Sequence, residues 1–133
     1  MAGEQETTVV LADDHNVIRA GLRSMLEGEP DLRVIGEASD AAAAQKLVRD
    51  RRPDVLVLDL QMPGAEPRQD VPRLRQSSPG TAIVVLTMQN DPRGARDLLR
   101  AGASGYVLKQ AAERQLGEAI RIAAGGGSYV DPE

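Results

Sequence analysis

The stretch Val55-Leu-Val-Leu-Asp59 decides the fold, because four apolar residues in a row end there in a carboxylate. A second continuous apolar run, Ala82-Ile-Val-Val-Leu86, follows further along the chain. Neither run alternates polar and apolar residues, which indicates strands that are covered on both faces. A parallel sheet with helices on each side provides that cover. The two runs therefore predict the central strands of an α/β sheet.

Three further apolar runs complete the predicted sheet, and helix-like segments separate all five. The runs are Thr8-Val-Val-Leu-Ala12, Val34-Ile-Gly36 and Tyr106-Val-Leu108. Strands that alternate with helices predict right-handed crossovers and helices on both faces of the sheet. We therefore expect an α/β domain, a doubly wound parallel sheet of five strands with five helices.

Several helix ends carry recognisable signals. Apolar residues recur at helical spacing in the first and the last helical segments, namely Val17, Ile18, Leu22, Met25 and Leu26, then Leu116, Ala119, Ile120 and Ala123. Ser39 or Asp40 can cap the alanine-rich second helix. Asp91 before Pro92 predicts an N-cap with proline in the first helical position, and Gly102 marks the end of that helix.

The third helix is expected to be the irregular one. Four prolines surround and interrupt its segment: Pro63, Pro67, Pro72 and Pro79. A proline inside a helix removes one backbone hydrogen bond, and its ring clashes with the preceding turn. We therefore expect this helix to be short, irregular or displaced.

Composition and charge exclude several classes of function. The chain has 133 residues, the size of one domain, and it has no cysteine and one histidine. Disulfides, thiolate chemistry and multi-histidine metal sites are therefore excluded. A net charge of -4 disfavours nucleic-acid binding by this domain alone, because phosphate contacts need a basic face. No apolar run reaches the ~20 residues of a membrane span, and the polar N-terminus lacks a signal-peptide core, so we expect a cytoplasmic protein.

Chemically active side chains follow four of the predicted strands. Asp13 and Asp14 come after the first strand, Asp59 ends the third, Thr87 ends the fourth and Lys109 follows the fifth. In open α/β sheets, ligands bind beyond the carboxyl ends of the strands. Three carboxylates, one hydroxyl and one ammonium are thus expected to converge at one edge of the sheet.

Carboxylates clustered in this way repel one another unless a cation joins them. A hard divalent cation such as Mg²⁺ meets that need, since it binds carboxylates, waters and phosphate oxygens. Asp59 could then act as an oxygen nucleophile toward a phosphoryl group. The metal, Lys109 and the Thr87 hydroxyl could each neutralise or bind one of the phosphoryl oxygens.

Each of these residues also has an ordinary structural reading. Asp13 and Asp14 could form a capping and turn cluster, Asp59 could be a turn aspartate, and Thr87 could simply end a strand. Lys109 could be a solvated surface lysine. The convergence of five features at four strand ends is what favours the functional reading. His15, without histidine partners, is expected to have a surface or loop role.

The same residues lie in longer motifs that resemble a known family. The motifs are Ala12-Asp-Asp-His-Asn-Val-Ile-Arg-Ala-Gly-Leu22, Asp59-Leu-Gln-Met-Pro-Gly64 and Ala101-Gly-Ala-Ser-Gly-Tyr-Val-Leu-Lys109. Together they resemble the receiver domains of two-component response regulators, in the NarL/FixJ (LuxR-type) subfamily. The resemblance implies a flavodoxin-like sheet with strand order 2-1-3-4-5.

The resemblance also implies roles for individual residues. Asp59 is the phosphorylation site, and Asp14, Asp59 and the backbone carbonyl of Gln61 hold Mg²⁺. Asp13 acts through a water molecule or by orienting Lys109. The domain is a phosphoacceptor module and not an enzyme, apart from Mg²⁺-dependent self-phosphorylation and slow self-dephosphorylation.

A switch and a set of partners follow from the same resemblance. Thr87 follows the phosphoryl group, and Tyr106 changes its exposure with it. The expected partners are a sensor histidine kinase, a second copy of the chain on activation, and DNA through a C-terminal helix-turn-helix domain that regulates transcription. No membrane partner is expected.

The expected domain boundaries are a flexible lead over 1–6, the receiver domain over 7–124, and over 125–133 the start of a linker to an output domain absent from this chain. The segment from Ala65 to Pro72 departs from the family pattern of Met-Asp-Gly and a regular helix. Gln110 stands where many receivers have a proline. These departures affect the loop beside Asp59 more than its chemistry.

Three other functions are also found on sheets of this kind or on this domain. An aspartyl-phosphate phosphatase places its nucleophile in an Asp-x-Asp motif after the first strand, whereas Asp13 and Asp14 are adjacent. A flavodoxin-like flavin carrier needs a hydroxyl- and glycine-rich loop there, and aromatic residues around the flavin. An atypical receiver, controlled by a ligand or a protein without phosphorylation, stays open as the alternative.

Overall fold

A computed structural model describes residues 6–130, which form strands and helices in alternation. The strands are β1 (Thr7–Ala12), β2 (Leu32–Ala38), β3 (Val55–Asp59), β4 (Ala82–Thr87), β5 (Gly105–Leu108) and β6 (Tyr129–Val130). The helices are α1 (Asn16–Glu27), α2 (Ala41–Arg51), α3 (Pro67–Ser77), α4 (Pro92–Ala101) and α5 (Ala112–Ala124), and a 3-10 turn over Lys109–Ala111 leads into α5. Within this range, none of the helices has the length and apolar character that crossing a membrane requires.

The strands form one parallel sheet in the order β2-β1-β3-β4-β5-β6. The flavodoxin-like order 2-1-3-4-5 is contained in it, with helices on both faces. The expected count of five strands is wrong, because Tyr129 and Val130 pair in parallel with Gly105 and Tyr106 of β5. These two residues fall in the segment assigned to a linker. Residues 131–133 of that segment, and 1–5 of the expected N-terminal lead, lie outside the described residues.

Two apolar layers cover the sheet, one on each face. Alternate residues of the strands supply the two layers, so that Val57 and Val84 point to one face while Leu56 and Ile83 point to the other. Helices α1 and α5 cover the first face, and α2, α3 and α4 cover the second. Every residue of β3 and β4 is buried, as the continuous apolar runs predicted.

The apolar residues at helical spacing are all buried in α5, but only some of them are buried in α1. All four apolar residues of the α5 pattern are buried, and so are Leu22 and Leu26 of α1. Val17 and Ile18, however, are 85% and 41% exposed. Among the residues that the structure describes, the first turn of α1 therefore presents an exposed apolar surface.

The helix boundaries follow most of the expected signals. Asp40 caps α2, since its carboxylate accepts a hydrogen bond of 2.8 Å from the Ala43 amide. Asp91 occupies the N-cap position of α4 before Pro92, but its side chain makes no capping hydrogen bond. Gly102 ends α4 with a φ of 124°, a conformation that favours glycine.

The third helix was expected to be short, irregular or displaced, and shortness alone is wrong, because α3 runs through 11 residues, the same length as α2. Pro67 stands at its first position, where no intrahelical N–H is required. The buried carboxylate of Asp70 accepts hydrogen bonds from the Glu66 amide and the Gln45 side chain, which fixes the start of the helix. Pro72 lies inside the helix, so its irregularity is confined to one missing hydrogen bond.

Candidate functional site

The carboxyl ends of four strands bring together the residues that the sequence singled out. Asp13 follows β1, Asp59 ends β3, Thr87 ends β4 and Lys109 follows β5. Because these strands are parallel neighbours, all their carboxyl ends lie at one edge of the sheet. The predicted convergence is therefore observed in the geometry, with the Lys109 ammonium 3.0 Å from Asp59 and 3.9 Å from Asp13.

Asp59 lies at the centre of this site and is fully buried. Its Oδ1 atom accepts a hydrogen bond of 3.0 Å from the backbone amide of Gln61, which turns the loop after β3 around the carboxylate. Its Oδ2 atom faces Lys109. Burial raises the pKa of the Asp59 carboxyl, and the charge of Asp13 adds to that rise, while Gln61 and Lys109 oppose it. The Asp59 side chain therefore lies in surroundings that disfavour its charged form.

Asp13 and Asp14 differ in their exposure. The Asp13 side chain is buried, and its Oδ1 atom accepts a hydrogen bond of 2.8 Å from the His15 amide. The Asp14 side chain is partly exposed at the mouth of the site. One carboxylate therefore lies deep beside Lys109, and the other borders solvent.

Three buried oxygens of this cluster have no backbone amide or hydroxyl donor among the described residues and face charged side chains or the His15 ring instead. Asp13 Oδ2 and Asp59 Oδ2 lie 3.9 Å and 3.0 Å from the Lys109 ammonium, and Asp14 Oδ1 lies 3.2 Å from His15 Nδ1. Three carboxylates face one ammonium, which leaves an excess of negative charge. Ligand atoms of Asp13, Asp14, His15 and Asp59 all lie within 4.8 Å of one another.

The donor set fits a hard divalent cation. Mg²⁺ prefers carboxylate and carbonyl oxygens together with water, and here the carboxylates are those of Asp13, Asp14 and Asp59. The backbone of Gln61 is held beside Asp59 by its amide. The residues present are therefore compatible with Mg²⁺.

Thr87 and Tyr106 are linked through one short segment after β4. Thr87 is buried, and its Oγ1 atom accepts a hydrogen bond of 3.2 Å from the Gln89 amide. Tyr106 is also buried, and its hydroxyl donates a hydrogen bond of 2.9 Å to the carbonyl oxygen of Gln89. Burial raises the pKa of the Tyr106 phenol. The backbone of Gln89 therefore contacts both the Thr87 hydroxyl and the Tyr106 hydroxyl.

His15 is the residue whose position the sequence analysis missed. It was expected to have a surface or loop role, and the ring is indeed half exposed. Its Nδ1 atom nevertheless lies 3.3 Å from Asp13 Oδ1 and 3.2 Å from Asp14 Oδ1. The ring's neighbourhood follows from its place after Asp13 and Asp14, but its direction depends on side-chain torsions that a sequence pattern does not reveal.

Comparison with known proteins finds similarity over nearly the whole chain. The sequence profile of the response regulator receiver domain matches residues 9–121. The oxygen regulatory protein NreC of Staphylococcus carnosus (strain TM300) is 39% identical over 126 residues, which are 94% of this chain and 58% of that protein. The chain thus spans little more than half the length of this relative.

Solved structures show the same similarity. A LuxR-family two-component response regulator from Aurantimonas sp. SI85-9A1 superposes with a TM-score of 0.89 at 34% identity, covering 96% of this chain and 91% of that one. The signal receiver domain of the putative response regulator NarL from Mycobacterium tuberculosis gives a TM-score of 0.86 at 31% identity, covering 92% of this chain and 98% of that one.

Proposed function

The chain belongs to the response regulator receiver domain family, and on that premise we propose that it is switched by phosphorylation of Asp59. The observation that carries this proposal is the fully buried Asp59 carboxylate beside Lys109, at the edge where the strands end. A carboxylate in this position is desolvated and therefore a better nucleophile than one in water. The same burial keeps competing water away from the reacting atoms.

The phosphoryl group would come from a phosphohistidine of a sensor histidine kinase. An oxygen of Asp59 forms the new P–O bond, the P–N bond breaks, and its electron pair leaves with the histidine nitrogen. Lys109 offsets negative charge on the phosphoryl oxygens, since its ammonium lies 3.0 Å from the carboxylate. The Thr87 hydroxyl turns to donate a hydrogen bond to one of them.

Mg²⁺ would be held by Asp14, Asp59 and the backbone carbonyl of Gln61, with Asp13 binding through water. The excess of negative charge supports this assignment, because three clustered carboxylates face the single Lys109 ammonium. When bound, the ion neutralises charge that develops between the donor and the carboxylate. Asp13 has a second role, because its Oδ2 atom lies 3.9 Å from Lys109 and helps to orient the ammonium.

The switch would run from Thr87 to Tyr106. If the Thr87 hydroxyl turns toward a phosphoryl oxygen, it gives up its contact with the Gln89 amide. Gln89 also accepts the Tyr106 hydroxyl, so the segment after β4 and the tyrosine move together. The resulting change would be read on the surface formed by α4, β5 and α5.

An apolar surface beside the site supports docking of a partner. Val17 and Ile18 of α1 and Met88 after β4 are exposed around a groove of about 590 Å³ that Lys109 and Gln110 also line. Apolar side chains in such positions mark interaction surfaces. We propose that the kinase docks here, which would bring its phosphohistidine to the mouth of the site.

Dimerisation on activation is proposed from the family. Light scattering should give a larger mass for the phosphorylated domain than for the unphosphorylated one. An equal mass in both states would contradict dimerisation of this domain.

The remaining assignments concern the full-length protein. We propose a receiver domain over 7–124, a linker that starts near residue 125 and whose Tyr129 and Val130 still pair with β5, and a helix-turn-helix output domain that binds DNA to regulate transcription. The greater length of NreC supports a further domain. A cytoplasmic location follows from the same proposal.

The deciding experiment is the intact mass of the protein after incubation with acetyl phosphate. One added phosphoryl group is expected with Mg²⁺ but not with EDTA, and none is expected in Asp59→Asn. Adduct formation in Asp59→Asn would show that another residue is the acceptor. If the wild type gains no mass from acetyl phosphate and also does not bind a beryllofluoride complex, the alternative of an atypical receiver is supported.

A further inference from the structure

We propose that Arg19 of α1 is a positioning residue for phosphoryl transfer, because its guanidinium group fixes the loop that carries Asp13 and Asp14. The inference rests on the proposed function and deepens it, since it adds a residue outside the acidic cluster that sets where two of the carboxylates lie. In this role Arg19 acts through the backbone of Asp13 and not on the reacting atoms.

The guanidinium group of Arg19 joins three parts of the structure around the loop between β1 and α1. Its Nη1 atom donates a hydrogen bond of 2.5 Å to the carbonyl oxygen of Asp13, and Nη2 donates one of 2.9 Å to Asn16 Oδ1. Its Nε atom donates a hydrogen bond of 2.8 Å to Glu37 Oε1. The side chain is only 17% exposed, and all three nitrogens of the planar group are used in one orientation.

Glu37 anchors this arrangement to the sheet. It lies in β2 and pairs in register with Leu11 of β1, two residues before Asp13. The amide of Asp13 donates a hydrogen bond of 3.0 Å to the carbonyl oxygen of Ala38, the next residue of β2. The backbone of Asp13 is therefore held on both sides, at its N–H by β2 and at its carbonyl by Arg19.

Asp14 is the residue whose position depends most on the contact between Arg19 and the Asp13 carbonyl. That carbonyl and the Asp14 amide belong to one rigid peptide plane. The hydrogen bond from Arg19 therefore fixes the direction in which the chain enters Asp14, whose side chain lies partly exposed at the mouth of the site. Groups that orient the ligands of a metal in this way typically contribute about tenfold or more to its affinity.

The sign of the effect separates positioning from simple electrostatics. Arg19 is a cation close to a cluster of carboxylates, so the loss of its charge alone should make Mg²⁺ bind more tightly. The loss of its contact with Asp13 should make Mg²⁺ bind more weakly, because the carboxylates are no longer held in place before the ion arrives. Weaker binding in a variant without the charge therefore reports the contact.

The experiment is calorimetric titration of Mg²⁺ into the wild type, Arg19→Met and Arg23→Met. We expect Arg19→Met to bind Mg²⁺ about tenfold more weakly than the wild type, and Arg23→Met to show no loss. Arg23 is the matched control, since it lies one turn later on α1 and pairs with Glu37 and with Glu27. An equal loss in both variants, an unchanged affinity in Arg19→Met or a tighter one would each overturn the proposal.

Arg19→Lys tests the same point in a variant that keeps the charge, and it keeps the proposal testable if Arg19→Met does not fold. A lysine has one nitrogen and cannot bind Glu37, Asn16 and the Asp13 carbonyl at the same time. We expect weaker Mg²⁺ binding here as well. An affinity equal to that of the wild type would show that the charge is sufficient and would overturn the positioning role.

Phosphorylation by acetyl phosphate gives a second readout. In Arg19→Met, the Mg²⁺ concentration for the half-maximal rate should rise about tenfold, while the rate at saturating Mg²⁺ stays within about twofold of the wild type. If the wild type forms the adduct and Arg19→Met has the same Mg²⁺ dependence, this inference fails while the proposed function stands. If Mg²⁺ binding depends on Arg19 but the wild type forms no adduct, the proposed function fails and Arg19 positions the loop for metal binding alone.

Discussion

Lys109 carries the positive charge that offsets the negative charge of the acidic cluster when no metal is bound. Its side chain is 7% exposed and contacts two carboxylates that are buried as deeply. Removing one partner of a buried ion pair leaves the other charged group without compensation, at a cost of about 3 kcal/mol. We predict that Lys109→Met lowers the free energy of unfolding in EDTA by this amount.

Urea unfolding in EDTA and in Mg²⁺ measures the effect. Mg²⁺ should recover part of the loss, because a divalent cation can replace the missing ammonium. Lys46→Met is the matched control, since Lys46 is exposed and pairs with Asp50 on the surface of α2. Equal losses in the two variants would mean that Lys109 acts only as an ordinary surface charge.

Asp59 should show the opposite behaviour. Burial and the charge of Asp13 raise the pKa of this carboxyl, so the protein binds its proton more tightly when folded than when unfolded. At neutral pH the charged form therefore destabilises the folded state. We predict that Asp59→Asn raises Tm in EDTA by a few degrees, which corresponds to about 1 kcal/mol. A lower Tm would show that pairing with Lys109 outweighs the burial of the charge.

The location of the site could be predicted from the sequence, whereas its detailed contacts could not. Asp13, Asp59, Thr87 and Lys109 each follow an apolar run, and parallel strands bring their carboxyl ends to one edge. The direction of the His15 ring and the hydrogen bonds of Gln89 depend on side-chain torsions and on a loop. Neither the direction of the ring nor these hydrogen bonds leave a periodic pattern or a motif in the sequence.

At the scale of the elements, two helix starts offer a direct test of capping. Asp40 accepts a hydrogen bond from the Ala43 amide, and Asp91 occupies the same position on α4 without one. We predict that Asp40→Ala costs about 1 kcal/mol of unfolding free energy and Asp91→Ala only a few tenths. Thermal unfolding of both variants measures the difference. Similar losses would mean that the carboxylates act through their charge and not through the cap.

The third helix shows where the sequence prediction was wrong in part. Four prolines suggested a helix that is short, irregular or displaced, but the position of each proline matters more than their number. Pro67 opens α3 without cost, and its remaining turns pack Val71 and Leu74 against the core. That burial outweighs the single hydrogen bond lost at Pro72. Tertiary packing of this kind is not visible in local propensities.

Replacing the two prolines of α3 separates their contributions. Pro72→Ala restores an N–H donor and removes the clash of the ring, partly offset by a more flexible unfolded chain, so a gain of about 1–2 kcal/mol is expected. Pro67→Ala, at the first helical position, should change stability little. Chemical denaturation of both variants checks the prediction, and a loss in Pro72→Ala would show that the ring is needed for packing.

The sixth strand is an element that could not be predicted from the sequence. It has two residues, follows Gly125-Gly-Gly-Ser128, and carries no apolar run long enough to indicate a strand. Its pairing depends on the free edge that β5 offers once the sheet has formed. Tyr129 also packs against the apolar layer that α1 and α5 cover. Local sequence and tertiary context therefore favoured different structures here.

At the scale of the whole molecule, ion pairs connect segments that are distant in the sequence. Arg121 of α5 pairs with Asp31 and Glu29, which lie between α1 and β2. Arg19 and Arg23 of α1 both pair with Glu37 of β2. These contacts lie around the edge of the apolar layer between α1, α5 and the sheet. They connect α1 to the outer strand β2, and α5 to the loop between α1 and β2.

Glu37 should make the stability of the domain depend on pH. Partial burial opposes its charge, but the hydrogen bonds and charges of Arg23 and Arg19 outweigh burial and lower its pKa. Its stabilisation is therefore present above the unfolded value of about 4.3 and is lost as the pH falls through the lower folded value. Glu37→Gln should lose about 0.5–1 kcal/mol at pH 7, with the difference shrinking toward pH 3.

Urea midpoints measured between pH 7 and pH 3 test this. Glu27→Gln is a suitable control, since Glu27 forms an ion pair with one of the same arginines, Arg23, and is half exposed, so its loss should be smaller. A difference between wild type and Glu37→Gln that stays constant down to pH 3 would show that Glu37 acts through the polar contacts of its side chain and not through its charge. A difference that vanishes as the carboxyl gains its proton would assign the stabilisation to the paired arginines.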